Sequence, residues 1–443
     1  MKPLETNKLA FRSNWRLWTL AVVGIQLSLA SFDSFAQSLP KLMSLALLSH
    51  PSIASQRAQM QAAEIGIETA KWQYFPTPAI STERVNATTG DPFYGGDKNV
   101  TTVRLQQPLW TNGRLNAGKE KAQATLTYET ADLNETSLQI SMKVAQTYSD
   151  LLASLWRMQS TEQSLATHQK LREQVQRRVD LGVQSDADLR LAETRLDSVK
   201  SDLSATRARV ESYAVRLKQL IGQSIHFGEL LANFSAPLNL PISQDRALDT
   251  ALSIHPTIQK ARAQSQIQEA IVEESRSALL PDVYVRAERQ YGAFSMQTSN
   301  TFQDRIFVGL STQLGAGLSV LSNVKAAQAK SLAAKEEVQT QTLSISEQVL
   351  TDYAQVARLV EQTQALESAL VSQEQVMLSH DRQFLAGRKS WTEVLNAARE
   401  LSQAQAQLTD VKANHIAVSW RLALFVNGLD ILNTPVVDLH AEK

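Results

Sequence analysis

Apolar residues recur in this chain at helical spacing over two very long stretches, and twice the pattern switches to short runs of period two. No proline interrupts Leu115 to Asp180, where Leu133, Ile140, Val144, Leu151, Leu155, Met158 and Leu165 follow one another at steps of 7, 4, 7, 4, 3 and 7. Such steps make a coiled-coil seam, and about 66 residues at 1.5 Å each extend roughly 100 Å. The stretch from Leu318 to Leu385 repeats the design with Leu343, Leu350, Tyr353, Ala357 and Val360. Each rod stops at a lone glycine, Gly182 or Gly387, after which an amphipathic helix returns to about Leu220 or Phe425. Ser185-x-x-Asp188 and Ser390-x-x-Glu393 read as capping boxes that restart the chain after each turn. Shorter helices are expected from Ser52 to Phe75 and from Thr257 to Leu280, ended by Pro76 and Pro281. After each proline come two extended segments, about 79–87 and 100–109 in one case and 283–291 and 306–314 in the other. In the second pair Val283/Val285/Ala287 and Ile306/Val308/Leu310 alternate with other residues.

The two series of elements are copies. An offset of 205 residues aligns about 42–222 with the second half without a gap, so that Ala46-Leu47-x-x-His50-Pro51-x-Ile53 recurs as Ala251-Leu252-x-x-His255-Pro256-x-Ile258. Pro76/Pro281, Tyr148/Tyr353, Gly182/Gly387, Ser185/Ser390 and Arg216/Arg421 keep the same register. A period near 200 residues is too long for a solenoid and marks a duplicated module. The expected organisation is a leader at 1–36, a first repeat at 37–236, a second at 237–428 and a short tail at 429–443, with Pro237 and Pro241 in the linker.

Composition narrows the function. Lys plus Arg and Asp plus Glu number 44 each, leaving no basic excess to neutralise a phosphate backbone, so a nucleic-acid partner is not expected. Cysteine is absent, which removes disulfides, thiolate metal sites, nucleophilic cysteines and any lipid acceptor. Lys8, Arg12 and Arg16 precede the apolar run Leu17 to Ala30, and Ser34-Phe35-Ala36 supplies small residues for a cut before Gln37, the form of a secretory signal. Gly113-Arg-Leu-Asn-Ala-Gly118-Lys119-Glu120 nearly matches a phosphate-binding loop, but Glu120 stands where Ser or Thr must bind magnesium, so a strand-to-helix turn is expected. The seven histidines show no metal-ligand spacing and are expected at the surface or in turns; no cofactor and no catalytic triad are indicated.

An exported chain with four strands faces a physical difficulty, because four strands leave two unpaired edges and cannot close a barrel in lipid. Three chains would supply twelve strands, with long helices hanging beneath as a cylinder. A non-conducting periplasmic coiled-coil scaffold would use the same rods but has no need of a strand pair between helices.

Arg178-Val-Asp-Leu-Gly182-Val-Gln-Ser185-Asp-Ala-Asp188-Leu and Phe384-Leu-Ala-Gly387-Arg-Lys-Ser390-Trp-Thr-Glu393-Val-Leu-Asn396-Ala, within the duplicated helix-strand-strand-helix-turn-helix module, resemble the TolC family of outer-membrane efflux proteins. The similarity covers 42 to about 428. It implies a mainly α fold with a small β part, assembled as a homotrimer whose twelve-stranded barrel sits in outer-membrane lipid and whose coiled-coil barrel extends into the periplasm. It further implies a passive duct served by a periplasmic adaptor and an inner-membrane ABC exporter or other pump. The segment Phe384 to Glu400 leans toward members serving type I protein secretion, with multidrug or metal efflux as the alternative. The turns at Gly182, Ser185, Gly387 and Ser390 would dock the adaptor. By the same resemblance Asp188 pairs with Lys389 and with the position of Phe384, which lacks the family's hydroxyl, to hold a gate, while Glu393 and Asn396 ring the aperture. His50-Pro51 and His255-Pro256 stand where the family often has Asn-Pro, a difference in local capping.

Overall fold

The computed structural model describes residues 38–86, 91, 93–224, 243–295, 302–312, 316 and 319–433. The leader, Gln37, Pro237, Pro241, parts of the loops between strands and the end of the tail lie outside the described residues. The first half comprises α1 (Leu39–Ser49), α2 (Pro51–Trp72), β1 (Thr77–Arg84), β2 (Asn99–Trp110), α3 (Arg114–Asp180) and α4 (Asp186–Ile221). The second comprises α5 (Gln244–Ile254), α6 (Pro256–Ser277), β3 (Asp282–Tyr291), β4 (Phe302–Ser311), α7 (Ser319–Leu385) and α8 (Trp391–Asn427), closed by a 3-10 turn at Gly428–Asn433. Both rods are 67 residues long. The repeat is therefore visible element by element, in a mainly helical fold with one small antiparallel sheet.

Two short helices, α1 and α5, extend the expected plan. Each ends at a His-Pro step, and proline can begin but not continue a helix. His50 and His255 then serve as N-caps of α2 and α6, their Nδ1 atoms accepting from the backbone N–H of Ser52 at 3.2 Å and Thr257 at 3.3 Å. Imidazole thus does the work of a capping amide. The expectation that the histidines are surface or turn residues needs correction at two positions. His255 is 3% exposed, with its ring edge-on to Phe425 at 4.9 Å, and His168 is buried in α3 with Nδ1 on the Ser164 carbonyl at 2.9 Å.

The main core lies midway along the rods. Leu39, Leu42, Met43 and Ala46 of α1, together with Ala247 and Ala251 of α5, bury against Val144, Tyr148, Leu151 and Leu152 of α3 and the apolar end of α8 from Ile416 to Val426. Lys260 of α6 ties the halves across this level by bonding Asp132 at 2.6 Å and Glu135 at 2.8 Å on α3, and Gln56 of α2, in the first half, also reaches Asp132. Arg421 grips the fully buried carboxylate of Asp352 at 2.5 and 2.7 Å.

In α3 the expected seam is used: Ile140, Val144, Leu151 and Leu155 are buried. In α7 it is shifted. The chain buries Ile345, Val349 and Leu359, while Leu343 is 70% exposed and Val360 also faces outward. Leu321, Leu332 and Leu343, spaced by 11 residues, form an exposed apolar row on α7 that no described residue of the chain covers.

The sheet runs β1-β2-β3-β4, each pair antiparallel, so the two halves join at β2 and β3 and the edges β1 and β4 remain open. Strand limits differ from expectation by a few residues, most at β4, which begins four residues and ends three residues earlier because Phe302 pairs with Tyr291. Register sorts the side chains by face. Ile80 lies beside Val103, Leu105 beside Ala287, Ala287 beside Ile306, Val285 beside Val308 and Val283 beside Leu310, all on one side, where the row of Val103 continues into the Arg289–Asp304 ion pair at 2.6 Å. The other side carries Arg104, Arg286 and Glu288, with Arg104 and Arg286 on the Glu288 carboxylate at 2.7 and 2.9 Å. Gly309 faces Tyr284 there, and a Cβ would stand 2.7 Å from its ring.

Candidate functional site at the helical tips

Each rod reverses through one left-handed glycine. Gly182 has φ +70° and Gly387 φ +72°, a region that costs any residue with a Cβ, although open space surrounds both. The amide of Gly182 donates to Val179 O and that of Val183 to Arg178 O; Gly387 and Arg388 repeat this with Phe384 O and Gln383 O. These paired bonds are the Schellman closure. The Ser185–Asp188 and Ser390–Glu393 capping boxes then start α4 and α8, both reciprocal bonds being present in each.

The two tips pack together. Leu171 and Val175 of α3 and Ala192 of α4 bury against Met377 and Phe384 of α7 and Trp391, Val394 and Leu395 of α8. Phe384 is 1% exposed, and Arg178 lies over its ring at 4.3 Å while donating to its carbonyl oxygen at 3.0 Å. The absent hydroxyl is thus matched by an apolar seat and a guanidinium lid.

Asp188 reaches the second tip through a different partner than expected. Its Oδ1 accepts the indole N–H of Trp391 at 2.9 Å, and its Oδ2 accepts from Ser185 at 2.8 Å. The Ser185 and Trp391 bonds hold its carboxyl below the ordinary carboxylate range. Lys389 does not pair with Asp188. It stands just before the Ser390 N-cap, outside α8, and bonds Glu393 Oε1 at 2.9 Å while approaching His380 Nε2 at 3.1 Å. The Lys389 bond first, then the Ser390 amide and hydroxyl, draw the Glu393 carboxyl down to about 2. Glu393 and Asn396 both lie on the exposed face of α8. Trp391 and Arg178 were missed in the sequence because neither belongs to an apolar seam or a capping box. At the extremity, Leu181 and Val183 beside Gly182 and Leu385 beside Gly387 are exposed.

The outer membrane efflux protein family model matches residues 42–223 and again 247–428, the two segments standing 205 residues apart as the internal repeat does. The chain belongs to the outer membrane efflux protein family. Among curated proteins it is similar to the outer membrane protein TolC of Escherichia coli, 21% identical over 417 residues that cover 89% of this chain and 83% of TolC. Among solved structures it resembles VceC of Vibrio cholerae, with TM-score 0.74, 18% identity and coverage of 88% of this chain and 96% of that one. CmeC of Campylobacter jejuni gives TM-score 0.73 at 16% identity, covering 88% and 85%. Within this efflux protein family fold, the Gly-Ser turns occupy the far ends of both rods and the apolar sheet face the other end.

Proposed function

We propose that three copies of this chain form a passive conduit through the outer membrane, with the helical rods descending into the periplasm. The observation that carries the reading is the sheet: an apolar band on one face that ends at the Arg289–Asp304 ion pair, a charged opposite face, and two open edges on each chain. Strands of ten residues suit a tilted crossing of a bilayer. Aromatic residues flank the apolar band at both ends, Trp72, Phe75 and Trp110 at one and Tyr291 and Phe302 at the other, as interfacial girdles do. Pairing β4 of one copy with β1 of the next satisfies every edge. α2 leads into β1 and α7 follows β4, so the same contact brings exposed Ile65 and Trp72 toward the uncovered Leu321, Leu332 and Leu343 row. The exposed Leu181, Val183 and Leu385 support adaptor docking at the glycine turns, and an inner-membrane pump supplies the energy.

Substrate choice rests on the Phe384–Glu400 segment, which favours protein secretion through an ABC exporter over small-molecule or metal efflux. In the closed duct Asp188, through Trp391, and Phe384, through Arg178, hold the tips, Lys389 braces Glu393, and Glu393 and Asn396 edge the aperture. Membrane fractionation with native mass measurement tests the conduit: trimers in the outer membrane are expected, and a monomer in the soluble periplasm overturns it. Leu343→Asp should yield monomers with unchanged helix content.

A further inference from the structure

A groove of about 490 Å³ runs between α4 and α8 on a floor made by α3, its lower end at Thr392, Leu395 and Asn396 beside the tip contact. On α4 its wall extends from Leu191 to Arg209, about 27 Å of helix. Arg195, Arg209 and Arg399 line it, and none of the three forms an ion pair or side-chain hydrogen bond among the described residues. Arg157 lines it too but is committed to Asp410 at 2.7 and 2.8 Å. Asp202 is the sole carboxylate on the wall. In a chain with equal numbers of acids and bases, three unpartnered guanidinium groups at one concavity are an imbalance that a ligand can settle.

The floor is built rather than incidental. His168, buried, commits Nδ1 to the Ser164 carbonyl, Ser402 donates to Ser164 Oγ at 3.1 Å, and all three residues line the groove. Leu191, Val199 and Leu395 provide apolar wall between the charges. The basic set belongs to this groove alone, since the repeat partners of Arg195, Arg209 and Arg399 are Glu400, Asn414 and Thr194.

We propose that this groove binds an organic anion bearing two or more acidic groups on an apolar body. The separated arginines take the acidic groups as charge-assisted donors, and the apolar wall covers the body. The volume falls in the range of small-molecule sites.

Pyrene tetrasulfonate, a fluorescent anion of this type that does not titrate near neutrality, is the probe. Fluorescence anisotropy against the purified full chain should give saturable binding that weakens with salt. Combined Arg195→Gln, Arg209→Gln and Arg399→Gln should weaken it at least about tenfold, because charge-assisted bonds are lost at each position. The three side chains are exposed and unpaired, so helix content by circular dichroism should not change. Asp202→Asn, which removes the repelling carboxylate, should tighten binding about two- to threefold. Absence of saturable binding overturns the proposal, as does equal affinity in the triple variant or no tightening with Asp202→Asn.

Discussion

The indole N–H of Trp391 in the second tip donates to the carboxylate of Asp188 in the first at 2.9 Å, joining hairpins 203 residues apart. Trp391→Phe keeps the apolar packing and removes this bond. A loss of about 1 kcal/mol per chain is expected, since the carboxylate is largely solvated. Planar-bilayer recording should show open probability raised several-fold; conductance identical to the parent would dissociate the bond from closure. Lowering pH should act in the same direction. The depressed Asp188 carboxyl contributes fully above the ordinary value of 3.8 and loses its contribution as pH falls through the lower folded value.

Gly182→Ala and Gly387→Ala should each cost about 1–2 kcal/mol, because a Cβ at φ near +70° is strained although nothing lies within reach of it. Thermal unfolding measures this. Trimer yield should be unchanged while cross-linking to the adaptor declines, and intact cross-linking would remove the turns from the docking surface.

His255 makes stability depend on pH. Burial holds its imidazole neutral down to about 4, against an ordinary 6.5, with the Glu135 carboxylate opposing the shift. Above 6.5 folded and unfolded chains are alike in this respect. Between 6.5 and about 4 only the unfolded chain takes up the proton, so up to about 3 kcal/mol is lost as pH falls through that window. His255→Asn retains the N-cap without the titration, and its melting temperature should vary less between pH 6.5 and 4 than the parent's.

The two sheet faces should respond oppositely to charge. Val308→Arg places a cation among Val285, Ile306 and Leu310 and should cost about 2–4 kcal/mol near mid-membrane. Glu288→Gln on the charged face should leave membrane insertion unchanged and alter ion selectivity. Heat-modifiable mobility on gels separates the two, and equal tolerance would overturn the assignment of faces.

What the residues announce in advance depends on whether a local rule governs them. Both glycine reversals, both capping boxes and both rods follow from φ, side-chain reach and periodicity, and were legible. The α3 seam was legible because its partners lie in the same chain. The α7 seam was not, since Leu343 and Val360 are as apolar as Ile345 and Val349, and only packing distinguishes the face met by α8 from the face left uncovered. The helices α1 and α5 were overlooked as 11-residue segments ending at His-Pro, too short for periodicity to stand out. Trp391 carries no local signal, since its bond to Asp188 arises from the approach of two distant hairpins.

Duplication within one chain also permits something that six separate single-copy subunits could not have. The repeat partner of Trp391 is Asp186, and that of Asp188 is Glu393. One hairpin offers the acceptor and the other the donor, so the latch is polar in the sense of a plug and a socket. In a ring of six identical hairpins every copy would have to carry both halves of that fitting, and each would face two equivalent neighbours with no way to choose. Fusion gives every socket one designated plug, so that a mutation can change the hairpin that donates without remaking the one that accepts.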